Sequence, residues 1–234
     1  MCPRCGYYVG PQEWFFSFDH ICPVASQGKK IEGALRLWRW WPILTPLEWC
    51  SWHSTNSPRL ASTSAGYTWT KDAQRAHRVP RLGDHRSGFH GFSSFGAAVE
   101  MMMALGHNAD GCWNAALGTF LGWGRTVRHR TGYRTEYAQP EAVLDFDSLL
   151  ELHLAHHRAM DVSPSTETFE RRMPRLLAEV VSNYGLQTIK APPLFTWMRP
   201  DDPVVPFDEL SIRVPDSVLH QELEGLRDGN TGDV

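Results

Sequence analysis

Residues 118–144 read GTFLGWGRTVRHRTGYRTEYAQPEAVL, two alternating runs on either side of a glycine-bearing turn. Leu121, Trp123, Arg125, Val127 and His129 fall on one face of an extended chain, and Tyr133, Thr135 and Tyr137 resume the alternation after Arg130-Thr131-Gly132. A period of two sustained this long predicts a β-hairpin. A three-residue loop ending in Gly suits a type I turn followed by a left-handed residue, because Gly has no Cβ to clash there. That register sets His129 opposite Tyr133, Arg128 opposite Arg134, Val127 opposite Thr135 and Arg125 opposite Tyr137. A loop one residue longer instead pairs Arg125 with Glu136 and inverts the faces that meet.

Working outward, Leu35–Trp41 alternates Leu and Trp with Arg and predicts a half-buried strand ending at Pro42. Tyr67–Thr70 reads as a second short strand or an aromatic cap, and Lys71–His77 as a brief helix. Helices are expected near 95–105, capped by Ser93 or Ser94 and stopped by Gly106; near 147–160, capped by Asp147 or Ser148; and near 165–184, stopped by Gly185. The last carries an apolar stripe of Phe169, Met173, Leu176, Leu177 and Val180, with a bend expected at Pro174. The fold class is therefore α+β, a central antiparallel sheet containing the 119–144 hairpin and packed by these helices. Three regions follow: an irregular Cys and aromatic segment over 1–32, a core domain over 33–190, and a Pro-rich arm and disordered tail over 191–234.

The 234 residues carry a formal charge of −3, so no global basic field draws nucleic acid or an anionic membrane. Any such binding has to be local. No apolar run approaches the roughly 18 residues a membrane span needs. An odd five cysteines at uneven spacing argue against a disulfide framework and for a cytoplasmic setting. Walker, dinucleotide, nucleophile-elbow and kinase signatures are absent, which disfavours the enzymes built on them.

Four constellations can carry chemistry. Cys2-x-x-Cys5-Gly6 has zinc-knuckle spacing and can be completed by His20 and Cys22, or it belongs to a disordered lead-in. His77, His85 and His90 lie in a loop-rich stretch and can bind a metal, or stand as solvated histidines. His153 and His157, four apart on a helix, share a face without an evident third ligand. On the hairpin, Trp123, Arg125, Arg128, Tyr133 and Arg134 interleave cations with aromatics, a pattern that clamps phosphates and stacks bases, or that guards an exposed edge against strand addition.

Taken together, Arg36-x-Trp38, Tyr67-x-Trp69, Gly88-Phe89-His90-Gly91 and the Gly122–Ala138 segment resemble a group of uncharacterised proteins of actinobacteria and their phages. That resemblance implies a shared hairpin but no activity. Relatives look to carry cysteines where this chain has His77, His85 and Ser87, so a zinc site in them implies at most a His-substituted one here. The layout also resembles ADP-ribosyltransferases, which implies Arg36 or His90 against NAD and Glu136 as catalytic acid. The residues point first to a non-enzymatic binding or regulatory protein that meets a protein or nucleic acid through the hairpin and its aromatic surroundings. The alternatives are the ADP-ribosyltransferase-like enzyme and a zinc-supported nucleic-acid adaptor.

Overall fold

The computed structural model describes residues 28–30, 33–44, 59–60, 69–81, 87–105, 115–129, 131–159 and 166–192. Cys2, Cys5, His20, Cys22, His85 and nearly all of the Pro-rich arm lie outside them. The described chain is α+β. Strands β1 (Gly28–Lys30), β2 (Leu35–Leu44), β3 (Arg59–Leu60), β4 (Gln74–Arg75) and β5 (Phe89–Phe92) precede helix α1 (Phe95–Leu105). Then come the long hairpin β6 (Ala115–His129) and β7 (Gly132–Leu144), helices α2 (Phe146–Ala159) and α3 (Thr166–Tyr184), and β8 (Gln187–Ile189).

The hairpin organises the sheet. β6 pairs with β7 along one edge and with β2, over Leu35↔Gly122 to Pro42↔Ala115, along the other. β5 pairs with β7 at Phe89↔Thr135 to Phe92↔Gly132 and reaches β2 at Trp38↔Phe92, so β2, β6, β7 and β5 close into a ring. All pairings are antiparallel except β7 with β8. Closure removes the free edges of these strands, and β1, β4 and β8 extend the sheet beyond the ring.

Alternation along β2 explains the layers. Leu37, Trp41 and Ile43 are buried, and Trp69 packs against Trp41, Phe89 and Phe120 with ring centroids 5.4, 5.0 and 5.2 Å apart. Gly91 completes this core by absence, because a Cβ there would lie 2.6 Å from both Leu37 and Phe120. The intervening Trp38 meets Phe95 edge-on at 5.0 Å, and the Trp40 indole donates to the Ala98 carbonyl, so α1 lies over the other side of β2. On α3, Phe169, Met173, Leu177, Val180 and Tyr184 are buried at helical spacing. The Tyr184 hydroxyl accepts from Leu60 N and donates to Trp69 O, fixing α3 to the core.

Several expectations need correction. β2 runs through Pro42 to Leu44, tolerable because Pro42 pairs with Ala115, the first residue of β6, at the end of that ladder. Trp69 and Thr70 lie outside any strand, while Gln74–Arg75 forms a strand where a helix was expected. His90, expected in a loop-rich stretch, lies on strand β5. α2 is capped by neither Asp147 nor Ser148 but by Asp145, whose Oδ1 accepts from Ser148 N at 2.8 Å. α1 is capped by Ser94, and α3 continues through Pro174 to Gly185, which has a φ of 63°.

The hairpin register also differs. Its closing pairs are His129↔Gly132 and Arg128↔Tyr133, one residue off the favoured expectation, and Arg134 faces Val127 rather than Arg128. Gly132 is a strand residue whose φ is not left-handed; a Cβ there would overlap the Gly91 carbonyl oxygen. The glycine serves close strand approach, so its presence does not call for a three-residue loop. Further along, Gly124 at φ 78° and Arg125 together oppose Glu136 between the pairs Trp123↔Tyr137 and Thr126↔Thr135, a bulge with glycine in the left-handed position. A second irregularity leaves Glu141 as the extra residue between Phe120↔Pro140 and Thr119↔Ala142.

Candidate functional site

The residues singled out on the hairpin divide into two groups. Trp123 is buried and stacked on Tyr137 with centroids 5.8 Å apart. Arg134 is 1% exposed, and its guanidinium donates to the carbonyls of Ser87 and Arg81 and to the Ser87 hydroxyl. Both belong to the interior. Arg125 and Arg128 are exposed, and Tyr133 is half-buried. Arg128 is the register partner of Tyr133 and holds its guanidinium 6.0 Å from the ring centroid. That cation–π contact orients an otherwise flexible side chain.

The bulge explains why Arg125 is exposed while Trp123 is buried: an uninterrupted strand places both on one face, but the extra residue at Gly124 resets the alternation. Glu136 faces this bulge. Its Oε2 accepts from Arg125 N at 3.2 Å, and its Oε1 accepts from Arg75 Nε at 2.9 Å and pairs with Arg75 Nη2 at 2.7 Å. Glu141 sits at the other irregularity, where Arg36 donates to both carboxylate oxygens at 2.7 and 2.6 Å and the Thr119 hydroxyl adds a bond at 3.0 Å. Each carboxylate thus joins a bulge to a neighbouring strand through an arginine fork.

Arg36, His90 and Glu136 are held in separate contacts. Arg36 is bound to Glu141, five residues along β7 from Glu136 and therefore about 17 Å away at strand rise. His90 sits on β5 with its ring edge-on to Phe92 at 5.0 Å. A cleft lined by all three would require Arg36 to leave Glu141.

Of the histidines, His77 is exposed and His90 half-buried. Among the described residues no group of three His, Cys, Asp or Glu is disposed to hold a metal ion. His153 is buried with its ring stacked 4.3 Å from Phe169, which ties α2 to α3.

A further surface feature carries no motif that marks it in the sequence. The segment Arg75–Arg81 is pinned on both flanks: Ala76 N donates to Glu136 O, Gly88 N to Arg78 O, Arg81 N to the Ser87 hydroxyl, and Arg134 to Arg81 O. Arg75, His77, Arg78 and Arg81 are all exposed along it. Charge is divided along the chain in the same sense: residues 71–136 hold nine Lys and Arg against five Asp and Glu, and residues 137–234 hold eight against seventeen. That imbalance was visible in the sequence but masked by the net charge.

Comparison of the chain with protein-family models, curated proteins and solved structures finds no match in any of the three. Among the described residues no helix is long and apolar enough to cross a membrane.

Proposed function

We propose that this is a non-enzymatic binding or regulatory protein that meets a macromolecular partner through the distal half of the β6–β7 hairpin and the surface beside it. The observation that carries the reading is the pair Arg125 and Arg128, exposed on a strand whose neighbours Trp123, Thr126 and Val127 are buried. A bulge on a left-handed glycine turns one of them outward, and an aromatic ring orients the other. Bulges commonly re-aim a side chain where a site is being built. A bacterial or phage origin and a cytoplasmic setting accompany this reading.

The test is charge reversal at both positions, Arg125→Glu with Arg128→Glu. Arg134 is unsuitable because it is interior. The expected result is an unchanged circular dichroism spectrum and thermal midpoint together with loss of a co-purifying partner. A folded variant that retains the full set of co-purifying molecules would overturn the proposal.

A further inference from the structure

We infer that the segment 70–75 is a strap, hinged at Trp69 and Ala76, that opens ahead of the sheet it borders and uncovers Tyr137 when it does. The inference rests on the fold and goes beyond the binding reading, so it stands whether or not a partner meets the hairpin.

Both hinges are set in the main core. Trp69 is buried, packs on three aromatic rings, donates through its amide to Leu60 O and accepts from the Tyr184 hydroxyl at its carbonyl. Ala76 is buried in the same cluster, and its amide donates to Glu136 O. Between them the chain buries little. Thr70, Lys71 and Arg75 are exposed, Asp72 and Gln74 are half-buried, and Ala73 alone is enclosed. Ala73 belongs to a second, separate cluster with Ala34, Leu121, Trp123 and Tyr137, to which the strap therefore contributes one methyl group. A segment that buries so little apolar surface opens at low cost.

Polar contacts fasten the strap. Gln74↔Ala138 and Arg75↔Tyr137 are the register pairs of β4 with β7, Gln139 Nε2 donates to Lys71 O at 3.4 Å, and Arg75 grips Glu136 Oε1 through Nε and Nη2. One polar group works against closure: the Gln74 amide nitrogen is enclosed without an acceptor among the described residues, a cost that water removes on opening. β7 does not need the strap, because β6 runs along its other edge from Gly118↔Val143 to His129↔Gly132. Tyr137 stands between its two register partners, stacked on Trp123 at 5.8 Å and with the Arg75 guanidinium 5.7 Å from its ring centroid. When the strap lifts, Arg75 leaves and Trp123 stays, so one flank of the aromatic pair meets solvent. The carboxylate that latches the strap also accepts from Arg125 N, which ties the strap to the bulge. The latch is a surface ion pair, so salt weakens it.

The experiment is native-state amide exchange of the full chain, read by mass spectrometry at low urea, with hydroxyl-radical labelling of the same samples. After correction for intrinsic rates, peptides over 70–76 should exchange roughly a hundredfold faster than those over 118–123 and with little urea dependence, the mark of local opening. Glu136→Gln keeps the Arg75 side chain but neutralises the latch; it should speed exchange over 70–76 about threefold, the worth of one exposed ion pair. Moderate salt should produce a similar gain in the parent chain and none in Glu136→Gln. Gln74→Leu, which removes the enclosed amide, should slow exchange over 70–76. Radical labelling of Tyr137 should rise in Glu136→Gln while Trp41 and Trp69, both in the main core, stay unchanged. Exchange over 70–76 that matches 118–123 in rate and urea dependence would show that the strap leaves only with the whole fold, which sinks the inference. So would exchange unaltered by Glu136→Gln, or faster exchange in that variant without faster labelling of Tyr137.

Discussion

At the scale of a residue, the described chain shows how one polar side chain can fix two elements. Asp145 stands between β7 and α2, accepts from Ser148 N, and leaves its own carbonyl for Leu149 N. The Ser148 hydroxyl also accepts from Ala191 N, so the cap ties α2 to the chain leaving β8. Hydrogen bonding from the Ser148 hydroxyl and amide, helped by Lys190, holds the Asp145 carboxyl below its usual range despite some desolvation. A depressed folded-state pKa means that the unfolded chain binds the proton more readily. The stability Asp145 contributes is therefore present above the ordinary carboxylate pKa and lost as pH falls through the lower, folded value. Asp145→Asn keeps the cap but not the charge, so its stability should fall less steeply over the acid limb than that of the wild type. Asp145→Ala should lose about 1 kcal/mol near neutrality. Urea unfolding from pH 7 down to the acid limit checks both, and parallel pH profiles for Asn and wild type would refute the assignment.

At the scale of elements, the bulge at Gly124 governs what β6 offers to solvent. Gly124→Ala puts a side chain at φ 78°, where L-residues are disfavoured by about 1–2 kcal/mol, and sets its Cβ 2.6 Å from the Tyr137 ring. The variant should unfold at lower urea with an unchanged slope, and its tryptophan emission should shift because Trp123 is stacked on Tyr137. A midpoint equal to wild type would mean that the bulge is not strained by a side chain. The same bulge marks where reading the sequence stops working. Alternation revealed the hairpin, and helical spacing with flanking cap and stop residues revealed the three helices, though α2 is capped by Asp145 and not by Asp147 or Ser148, because each signal depends on residues a few positions apart. Whether Arg125 or Trp123 faces water depends on one inserted residue, and a glycine in a strand gives no sign of whether it bulges, turns or admits a neighbour. Gly132 illustrates the point: it was legible as a special position, but its reason lies on β5, forty-one residues away. The interior role of Arg134 was hidden likewise, since its partners Ser87 and Arg81 come from a segment whose path only the folded sheet defines.

At the scale of the whole molecule, ring closure falls on its shortest ladder. β5 is joined to β7 over four register pairs but to β2 through Trp38↔Phe92 alone. Arg39 reinforces that junction: it is 7% exposed, donates through Nη1 to the His90 carbonyl, and lies 5.2 Å from the Trp69 ring centroid. It thereby connects β2, β5 and the central aromatic. Truncation in Arg39→Ala removes a charge-assisted bond and the cover over Trp69, and should destabilise by about 2–4 kcal/mol. Arg39→Met restores apolar volume without a buried charge and should recover a substantial part of that loss, since apolar replacement of a buried charge is often nearly neutral. If the bond closes the ring, the loss should also be uneven. Amide exchange in Arg39→Met should accelerate at Trp38 and through His90–Phe92 while β6 facing β7 over Gly118–Trp123 stays protected, because those amides belong to the longest ladder in the sheet. Uniform acceleration would instead show that Arg39 contributes only to global stability, and that β5 is held in the ring by its pairing with β7.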